Sequence, residues 1–286
     1  MQLGRAIAAG APGGVWRDDH PVTAVPTEAP APGVLVEYDG PIATITLNRP
    51  EKRNALSIEL MAELTAAFEH VGASTDAVGV VLAASGPVFS AGHSFADMAG
   101  ADLGHVRRLF QACTRLMDTI QTIPQPVVAK VHALATAAGC QLVATCDLAV
   151  ASELATFAIP GGKGGFFCHT PLVAVARNVG RKRALEMAMT GDPVDARTAA
   201  EWGLVNKVVA PDELDASTLD LIRRATRGSI MSKGLGKQGF YAQVDLPQEK
   251  AYDFAIELMS SASQTADAQE GFRSFLDKRA PNFTQR

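Results

Sequence analysis

Ser90-Ala91-Gly92-His93-Ser94-Phe95-Ala96-Asp97-Met98 and Ala137-Ala138-Gly139-Cys140-Gln141-Leu142 are the two stretches that decide the fold. In each, a turn of small residues follows an apolar run typical of a buried strand and leads into a helical pattern. The first N–H groups of a helix have no acceptor within the helix, and the helix dipole makes that end positive. Two such turns brought to one point would stabilise a carbonyl oxygen that gains negative charge. The sequence therefore predicts a paired N–H site of the oxyanion-hole type.

The composition is that of a folded protein with a large core. The chain has 286 residues, of which 47% are hydrophobic and 20% are charged, so it can bury a large core as one sizeable domain or as one domain plus an appendage. Its formal net charge of −4 argues against a non-specific nucleic-acid or anionic-membrane surface, which needs a basic excess. No apolar run approaches the ~20 residues of a membrane-spanning helix. We therefore expect neither nucleic acid nor a membrane as a partner.

The four cysteines lie in apolar stretches of the sequence. They form no CxxC pair and have no histidines at zinc-ligand offsets. We interpret them as reduced core thiols in a reducing compartment and expect no metal site. They are Cys113, Cys140, Cys146 and Cys168.

Residues 1–33 differ in composition from the rest of the chain. They are rich in Ala, Pro and Gly and show no hydrophobic period, so we expect a mobile extension. The extension lacks the uninterrupted apolar region of a secretory signal, and Asp18, Asp19 and Glu28 are unlike the acid-poor pattern of a mitochondrial presequence. The predicted location is cytoplasmic. The mitochondrial matrix is the alternative, if the extension is a transit peptide.

Strand and helix patterns alternate after the extension. The β-branched run at 42–47 predicts a strand and is followed by apolar residues at helical spacing. The cycle returns with the apolar runs at 78–84 and 126–131. Alternation of this kind predicts stacked α/β layers, which we assign to residues 34–213. Residues 214–286 show an almost purely helical pattern.

Three familiar motifs occur in contexts that do not support them. Gly234-Leu235-Gly236-Lys237-Gln238-Gly239 spells GxGxxG, but no strand precedes it and no βαβ unit surrounds it. Gly161-Gly162-Lys163-Gly164-Gly165 lacks the spacing and the terminal Lys-Ser/Thr of a P-loop, and we interpret it as a flexible turn beside a pocket. Ser90 and Ser94 lie in no GxSxG elbow. Nucleotide binding and serine hydrolysis are therefore disfavoured.

With both small-residue turns in view, residues 34–286 resemble the crotonase superfamily, the enoyl-CoA hydratase and isomerase fold family. The resemblance implies an α/β spiral of repeated β-β-α units with a helical C-terminal trimerisation region, and a homotrimer or hexamer. It implies an acyl-CoA thioester as ligand, with coenzyme A entering as part of the substrate and no separate cofactor. It also implies an enoyl-CoA hydratase-like lyase of fatty acid or acyl-CoA metabolism.

The resemblance assigns roles to individual positions. The backbone N–H groups of His93 and Ala138 match the two oxyanion donors. The segment at 48–57 matches the one that cradles coenzyme A, in which Arg53 would meet a phosphate and the backbone at Ala55 and Leu56 would contact the thioester arm.

The same segment has a structural alternative. Residues 48–54 also fit a charged turn that caps the next helix, with Ser57 as its N-cap. For the His93 side chain, an imidazole at the pocket mouth and a solvated turn histidine both remain open. Asp97 fits a helix-dipole role in the first turn of a helix after the hole better than a catalytic role.

Two positions of the C-terminal tail also match the family. Phe275 and Lys278 match positions that touch coenzyme A from the neighbouring subunit in relatives. The alternatives are a core phenylalanine and a solvated lysine.

The chain departs from the family at the two catalytic glutamates. Gln141 and Gly161 stand where family hydratases place them. Hydration of a conjugated thioester needs a base to activate water and an acid to protonate the α-carbon, each contributing about 10²- to 10⁴-fold, and neither an amide nor glycine supplies either. Efficient two-glutamate hydration is therefore not expected.

His169 is the side chain that we predict would replace the missing acid or base, because neutral histidine is a competent base near pH 7. The alternative is a histidine at the start of a helix that begins at Pro171. Three functions remain open: a hydratase-like enzyme with a different acid or base, a non-catalytic acyl-CoA binder, and another reaction such as isomerisation, thioester hydrolysis or decarboxylation.

Overall fold

The computed structural model describes residues 32–284. The predicted extension at 1–33, including the acidic residues weighed against a presequence, lies almost wholly outside the described residues. The strands are β1 (Val34–Asp39), β2 (Ile42–Leu47), β3 (Gly79–Ala84), β4 (Val127–Val131), β5 (Ala135–Thr136), β6 (Leu148–Ser152), β7 (Thr156–Ala158), β8 (Val194–Asp195) and β9 (Lys207–Val209). The helices are α1 (Ile58–Ala73), α2 (Leu103–Thr122), α3 (Ala138–Thr145), α4 (His169–Val179), α5 (Arg181–Thr190), α6 (Ala196–Trp202), α7 (Leu214–Ala225), α8 (Ile230–Gln243), α9 (Gln248–Ala262) and α10 (Ala266–Leu276).

The strands form two sheets. The larger has six strands in the order β1-β2-β3-β4-β6-β9. The β1–β2 pair is antiparallel, and all the remaining pairs of this sheet are parallel. The smaller has the order β5-β7-β8, with a parallel and an antiparallel pair. This mixed α/β architecture, followed by a run of C-terminal helices, confirms the predicted fold class.

Both faces of the large sheet are buried at its central strand β3, which divides its residues between them. In β3, Val80 and Leu82 belong to the main core, whereas Val81 faces a second cluster that includes Ile222 of α7. The division follows from the two-residue period of a strand. Because both of its faces are covered, β3 is continuously apolar, as expected for a parallel strand.

The start of α1 shows the capping roles of Ser57 and Asp97. The Ser57 hydroxyl accepts a hydrogen bond from the Leu60 N–H at 3.1 Å, so Ser57 is the predicted N-cap. Asp97 accepts from the Ile58 N–H at 3.1 Å and from the Ser94 hydroxyl at 3.2 Å. Asp97 therefore has a structural role, as expected. It lies in a 3₁₀ turn, however, and the helix end that it serves is that of α1, not of a helix following its own turn.

One boundary differs from that expected. The helix predicted to begin at Pro171 begins at His169, because the prolyl ring is accommodated in the first turn, where no N–H is needed.

The GxGxxG motif lies inside α8. A Cβ at Gly234 would lie 2.7 Å from Pro124 Cβ, and one at Gly239 would collide with Leu258 Cδ2. Gly234 and Gly239 therefore permit close packing against α8, and the motif forms no phosphate loop.

A buried ion pair fastens α8 to the sheet. Lys237 Nζ lies 2.8 Å from Asp147 Oδ2, and their side chains are 8% and 15% exposed. Asp147 also accepts from the Tyr241 hydroxyl at 2.9 Å and from the Val127 N–H at 2.7 Å. The lysine in turn donates to the carbonyl of Ile120 at 2.7 Å. The cluster therefore replaces the water that both charges lose on burial.

The remaining C-terminal helices carry exposed apolar side chains. No residue of α9 is buried. Large apolar side chains of α9 and α10 remain exposed. They are Tyr252, Phe254, Ile256, Met259, Phe272, Phe275 and Leu276.

The described residues contain no helix long and apolar enough to span a membrane. Within the same residues no three His, Cys, Asp or Glu side chains converge as a metal site would require. All four cysteines are free and buried, as the apolar sequence around them predicts.

Replacing Lys237 by methionine should lower the free energy of unfolding by about 3–5 kcal/mol, because it leaves the Asp147 carboxylate buried without its cation. Urea denaturation measures the change. The control is Lys250→Met, which breaks an exposed pair with Asp253 and should cost less than about 1 kcal/mol. Equal effects of the two substitutions would show that the buried pair does not fasten α8.

Candidate active site between two backbone turns

The two small-residue turns lie side by side. The Thr136 N–H donates to the Ser90 carbonyl at 3.0 Å, and the Phe89 N–H donates to the Leu134 carbonyl at 2.9 Å. A Cβ at Gly139 would lie 2.5 Å from the Ser90 carbonyl oxygen, so only glycine permits this approach. The stretches at 90–98 and 137–142 therefore lie together at one site.

Two N–H groups at this junction are free. Ala138 is the first residue of α3, and Ala137 before it has φ 51° and ψ −118°. On the other turn, hydrogen bonds to the Leu56 backbone use the Gly92 carbonyl and the Ser94 N–H, leaving the N–H of His93 between them. Among residues 32–284 neither the His93 nor the Ala138 N–H has an acceptor. A Cβ at Gly92 would lie 3.2 Å from the Ala138 nitrogen, which shows how closely the turns approach.

Asn54 braces the first turn, a role that the sequence analysis missed. It is fully buried with φ 50°, and its side-chain amide donates to the carbonyls of Ser85 at 2.8 Å and Val88 at 3.1 Å. Its own carbonyl accepts from the Ser90 hydroxyl at 2.8 Å. Asparagine tolerates this left-handed backbone better than most residues. An Asn beside Arg53 in a charged turn was the signal that could have revealed it.

A cavity of about 700 Å³ opens beside the two turns. Its wall is mainly apolar and aromatic, and none of the described residues that line it is an aspartate or a glutamate. Four of its lining residues are ionisable: His93, Lys163, Cys168 and His169. The cavity therefore favours an apolar ligand with a polar group at the junction of the turns.

The His93 ring is half-buried in this wall. It meets Phe110 edge to face at 5.1 Å between centroids, and Phe110 stacks on Phe166 at 6.1 Å. Its Nε2 is buried without a hydrogen-bond partner among the described residues. Burial lowers the pKa of His93 from 6.5 to about 4, so the ring is neutral at pH 7. Of the two alternatives for this side chain, the pocket imidazole is therefore the one observed.

The predicted replacement base, His169, lines the same cavity but is exposed. Its ring lies 5.2 Å from that of Phe167. The neighbouring Cys168 is buried, and burial raises the pKa of its thiol. The structure therefore brings His169 to the cavity, while its role as acid or base stays a prediction.

The two positions that the resemblance assigns to the family glutamates differ in their surroundings. Gln141 is 5% exposed, and its Oε1 lies 3.8 Å from the Cys113 thiol, which donates to it. Gly161 lines the cavity. A Cβ there would collide with the Phe166 carbonyl and lie 2.5 Å from the Cys168 sulfur. A glutamate at 161 would therefore require the following loop to move.

A second cavity, of about 590 Å³, lies on the other side of the His93 turn. Ala55 lines it, as do Arg49 and Lys52. Phe95 lines both cavities and is 77% exposed, so it stands at their boundary.

The remaining predicted ligand contacts lie around this second cavity or apart from it. Leu56 is fully buried beside the His93 turn, and Arg53 is exposed in the loop before it. Phe275 is 83% exposed and Lys278 is exposed at the end of α10. The core alternative for Phe275 is therefore wrong in this chain, because nothing in the described residues covers its ring.

Gly139→Ala should separate the two turns, because its methyl group would overlap the Ser90 backbone. We expect the free energy of unfolding to fall by about 1–3 kcal/mol. The matched control is Gly236→Ala in α8, whose Cβ would meet nothing within 4 Å and should stabilise the helix by up to about 1 kcal/mol. Thermal unfolding of both variants measures the difference, and a Gly139→Ala protein as stable as the control would contradict close contact.

The lowered pKa of His93 makes stability depend on pH. Between pH 6.5 and about 4 the unfolded chain binds a proton at His93 that the folded chain does not, so the free energy of unfolding falls as the pH falls. Because glutamine does not titrate, His93→Gln should abolish this pH-dependent loss of unfolding free energy, which amounts to at most about 3 kcal/mol. Urea denaturation from pH 4 to 7 compares it with His70→Gln at an exposed site, and superimposable pH curves for the two would refute the assignment.

Comparison with known proteins agrees with this architecture. The family model described as enoyl-CoA hydratase/isomerase matches residues 37–286. The mitochondrial enoyl-CoA hydratase domain-containing protein 3 of Danio rerio is 43% identical over 248 residues, which cover 86% of each chain. The crystal structure of an enoyl-CoA hydratase from Mycobacterium smegmatis superimposes with a TM-score of 0.85 at 44% identity, over 88% of this chain and 98% of that one.

The crystal structure of human enoyl-CoA hydratase domain-containing protein 3 gives a TM-score of 0.84 at 40% identity, over 88% of this chain and all of that one. The fold, the matched range and these identities agree with the resemblance carried by the two turns. The chain is a member of the enoyl-CoA hydratase/isomerase family, within the crotonase superfamily.

Proposed function

We propose that the protein binds an acyl-CoA thioester and polarises its carbonyl with the N–H groups of His93 and Ala138. The observation that carries this proposal is the pair of free N–H groups on two adjoining turns, beside an apolar cavity. Such donors act on the charge that develops on an oxygen during reaction, and each is worth about 10²- to 10³-fold in rate. The acyl group occupies the 700 Å³ cavity.

Coenzyme A enters as part of the substrate and occupies the second cavity. Its thioester arm runs past the backbone of Ala55 and Leu56, and Arg53 and Lys52 offer positive charge to its phosphates. Guanidinium and ammonium groups are the usual protein partners of phosphate. Phe95, at the boundary of the two cavities, lies where the pantetheine arm passes from one to the other.

The reaction differs from two-glutamate hydration. The lining of the acyl cavity has no carboxylate among the described residues, and the positions of the usual glutamates hold Gln141 and Gly161. A polarised thioester acidifies the protons on its α-carbon, so a neutral base suffices for isomerisation through an enolate. We therefore favour proton transfer at the acyl group over addition of water.

A non-catalytic acyl-CoA binder is the second candidate. The same lack of carboxylates favours it, because binding needs the cavities and the N–H pair but no acid or base. This candidate predicts stabilisation by acyl-CoA without any product.

The exposed apolar faces of α9 and α10 support assembly of several copies, because monomers rarely leave large apolar patches uncovered. A trimer or hexamer is the proposed state. In it Phe275 and Lys278 of one copy reach the coenzyme A bound by its neighbour.

The names of the vertebrate relatives bear on location. The Danio rerio relative is named as mitochondrial. This supports the mitochondrial matrix, the alternative location, over the cytoplasm. The part of the sequence that would carry a transit peptide lies outside the described residues.

The deciding experiment incubates the protein with crotonyl-CoA, trans-3-hexenoyl-CoA and butyryl-CoA and follows products by mass spectrometry and NMR, with affinities from calorimetry. We expect micromolar binding and conversion of the 3-enoyl to the 2-enoyl thioester, with no rapid hydration of crotonyl-CoA. Arg53→Ala should weaken binding by about 3- to 10-fold, through loss of one charged contact. Hydration at an ordinary ~10 per second would refute the proposed chemistry, and absence of binding would refute the proposed ligand.

A further inference from the structure

We propose that the His93 imidazole is the base that removes and returns the proton on the α-carbon of the bound acyl group. The inference rests on the proposed function, because it takes the thioester carbonyl to be held by the N–H of the same residue. One residue would then supply both an oxyanion donor and the proton carrier.

The position of the ring supports this role. A carbonyl oxygen bound to the His93 N–H would bring its α-carbon, two bonds away, close to the same residue. The His93 ring lines the acyl cavity, where Phe110 meets it edge to face and stacks in turn on Phe166. The ring is therefore part of the wall that the reacting carbon would face.

Two buried polar atoms at the junction lack partners in the part of the chain that the structure describes. One is His93 Nε2, and the other is the hydroxyl oxygen of Thr136 on the opposite turn. Native proteins rarely leave buried polar groups without a partner unless there is a functional reason. Both residues line the acyl cavity, and a small rotation of either side chain would bring its buried polar atom to a molecule bound at the junction.

The other ionisable groups that face the cavity are less suited to the task. Lys163 is paired with Asp192 at 2.6 Å, and burial raises the pKa of the Cys168 thiol, so neither is a free base near pH 7. His169 is exposed and packs on Phe167. Across the turn, Asp97 is engaged by the Ile58 N–H and the Ser94 hydroxyl.

The charge state of His93 leaves the ring able to accept a proton, although burial makes it a weaker base than an ordinary histidine, so the two N–H groups must supply more of the stabilisation of the enolate. Burial, with no neighbouring charge contributing, lowers the pKa of the ring to about 4. The ring is therefore unprotonated and ready to accept a proton over the whole physiological range. Once protonated in this apolar wall it is a strong acid, and it returns the proton readily.

The step balances without any co-reactant. The imidazole nitrogen takes a proton from the α-carbon. The electrons of the broken C–H bond form a double bond between the α-carbon and the carbonyl carbon, and the carbonyl π electrons move to the oxygen. The resulting enolate oxygen is held by the two N–H groups. The imidazolium then returns the proton to the α-carbon, or to the γ-carbon of a 3-enoyl group, and the carbonyl re-forms. In heavy water the returned atom is deuterium once the ring exchanges with solvent.

The test is exchange of the α-protons of butyryl-CoA in deuterium oxide, followed by proton NMR and mass spectrometry, with affinity measured in parallel. We expect the native protein to incorporate deuterium and His93→Gln to lose about 10²-fold or more of the rate while binding persists. His70→Gln, at an exposed site on α1, should exchange at the native rate. The native rate should stay flat from pH 6 to 8, because the ring is already neutral there.

A second variant guards against a folding defect. His93→Ala, with a small space left in the wall, should regain part of the exchange rate when free imidazole is added, whereas a merely structural role would give no such recovery. Native-rate exchange by His93→Gln would overturn the inference. Binding of butyryl-CoA without exchange by the native protein would overturn it while leaving the proposed ligand intact, and absence of binding would overturn both.

Discussion

The hydrogen bond from the Thr136 N–H to the Ser90 carbonyl is the interaction on which the site depends. It joins two turns that are far apart in sequence. At this joint Gly139, which has no Cβ, allows the backbone of its turn to contact the Ser90 backbone. The hydrogen bond also brings the turn that carries the free His93 N–H next to the turn that carries the free Ala138 N–H. Asn54 adds a second brace from a third segment, so that three loops fix the geometry before any ligand arrives. Such preorganisation is what makes backbone donors effective on a developing charge.

The 700 Å³ cavity has no carboxylate among the described residues of its wall. A pair of carboxylates in an apolar wall would need partners or protons. Gln141, which is not among the residues that line the cavity, takes a weak hydrogen bond from the Cys113 thiol, and Gly161 is closed in by the Phe166 carbonyl and the Cys168 sulfur. A glutamate at position 161 would therefore require the loop to repack.

The sequence predicted most of the architecture because its signals are local. Alternating apolar runs gave the strands of the large sheet, and small-residue turns gave the position of the N–H pair. The conformation of Asn54 could not be predicted in the same way, because its partners Ser85 and Val88 are distant in sequence. The burial of the His93 ring depends similarly on Phe110 and Phe166, which approach it from two other elements. The exposure of His169, whose role as acid or base stays a prediction, likewise depends on packing and could not be predicted from its sequence context.

The four buried cysteines are expected to be unreactive while the chain is folded. Burial raises the pKa of Cys113 and of Cys140 to about 12 and that of Cys146 further still, so thiolate is almost absent while the core is closed. Cys113 and Cys140 also lie in the two helices that wall the junction, α2 and α3. Alkylation of Cys113 and Cys140 therefore requires the structure to open, and its rate reports how often α2 and α3 separate. These two thiols can thus serve as internal probes of opening motions around the candidate active site.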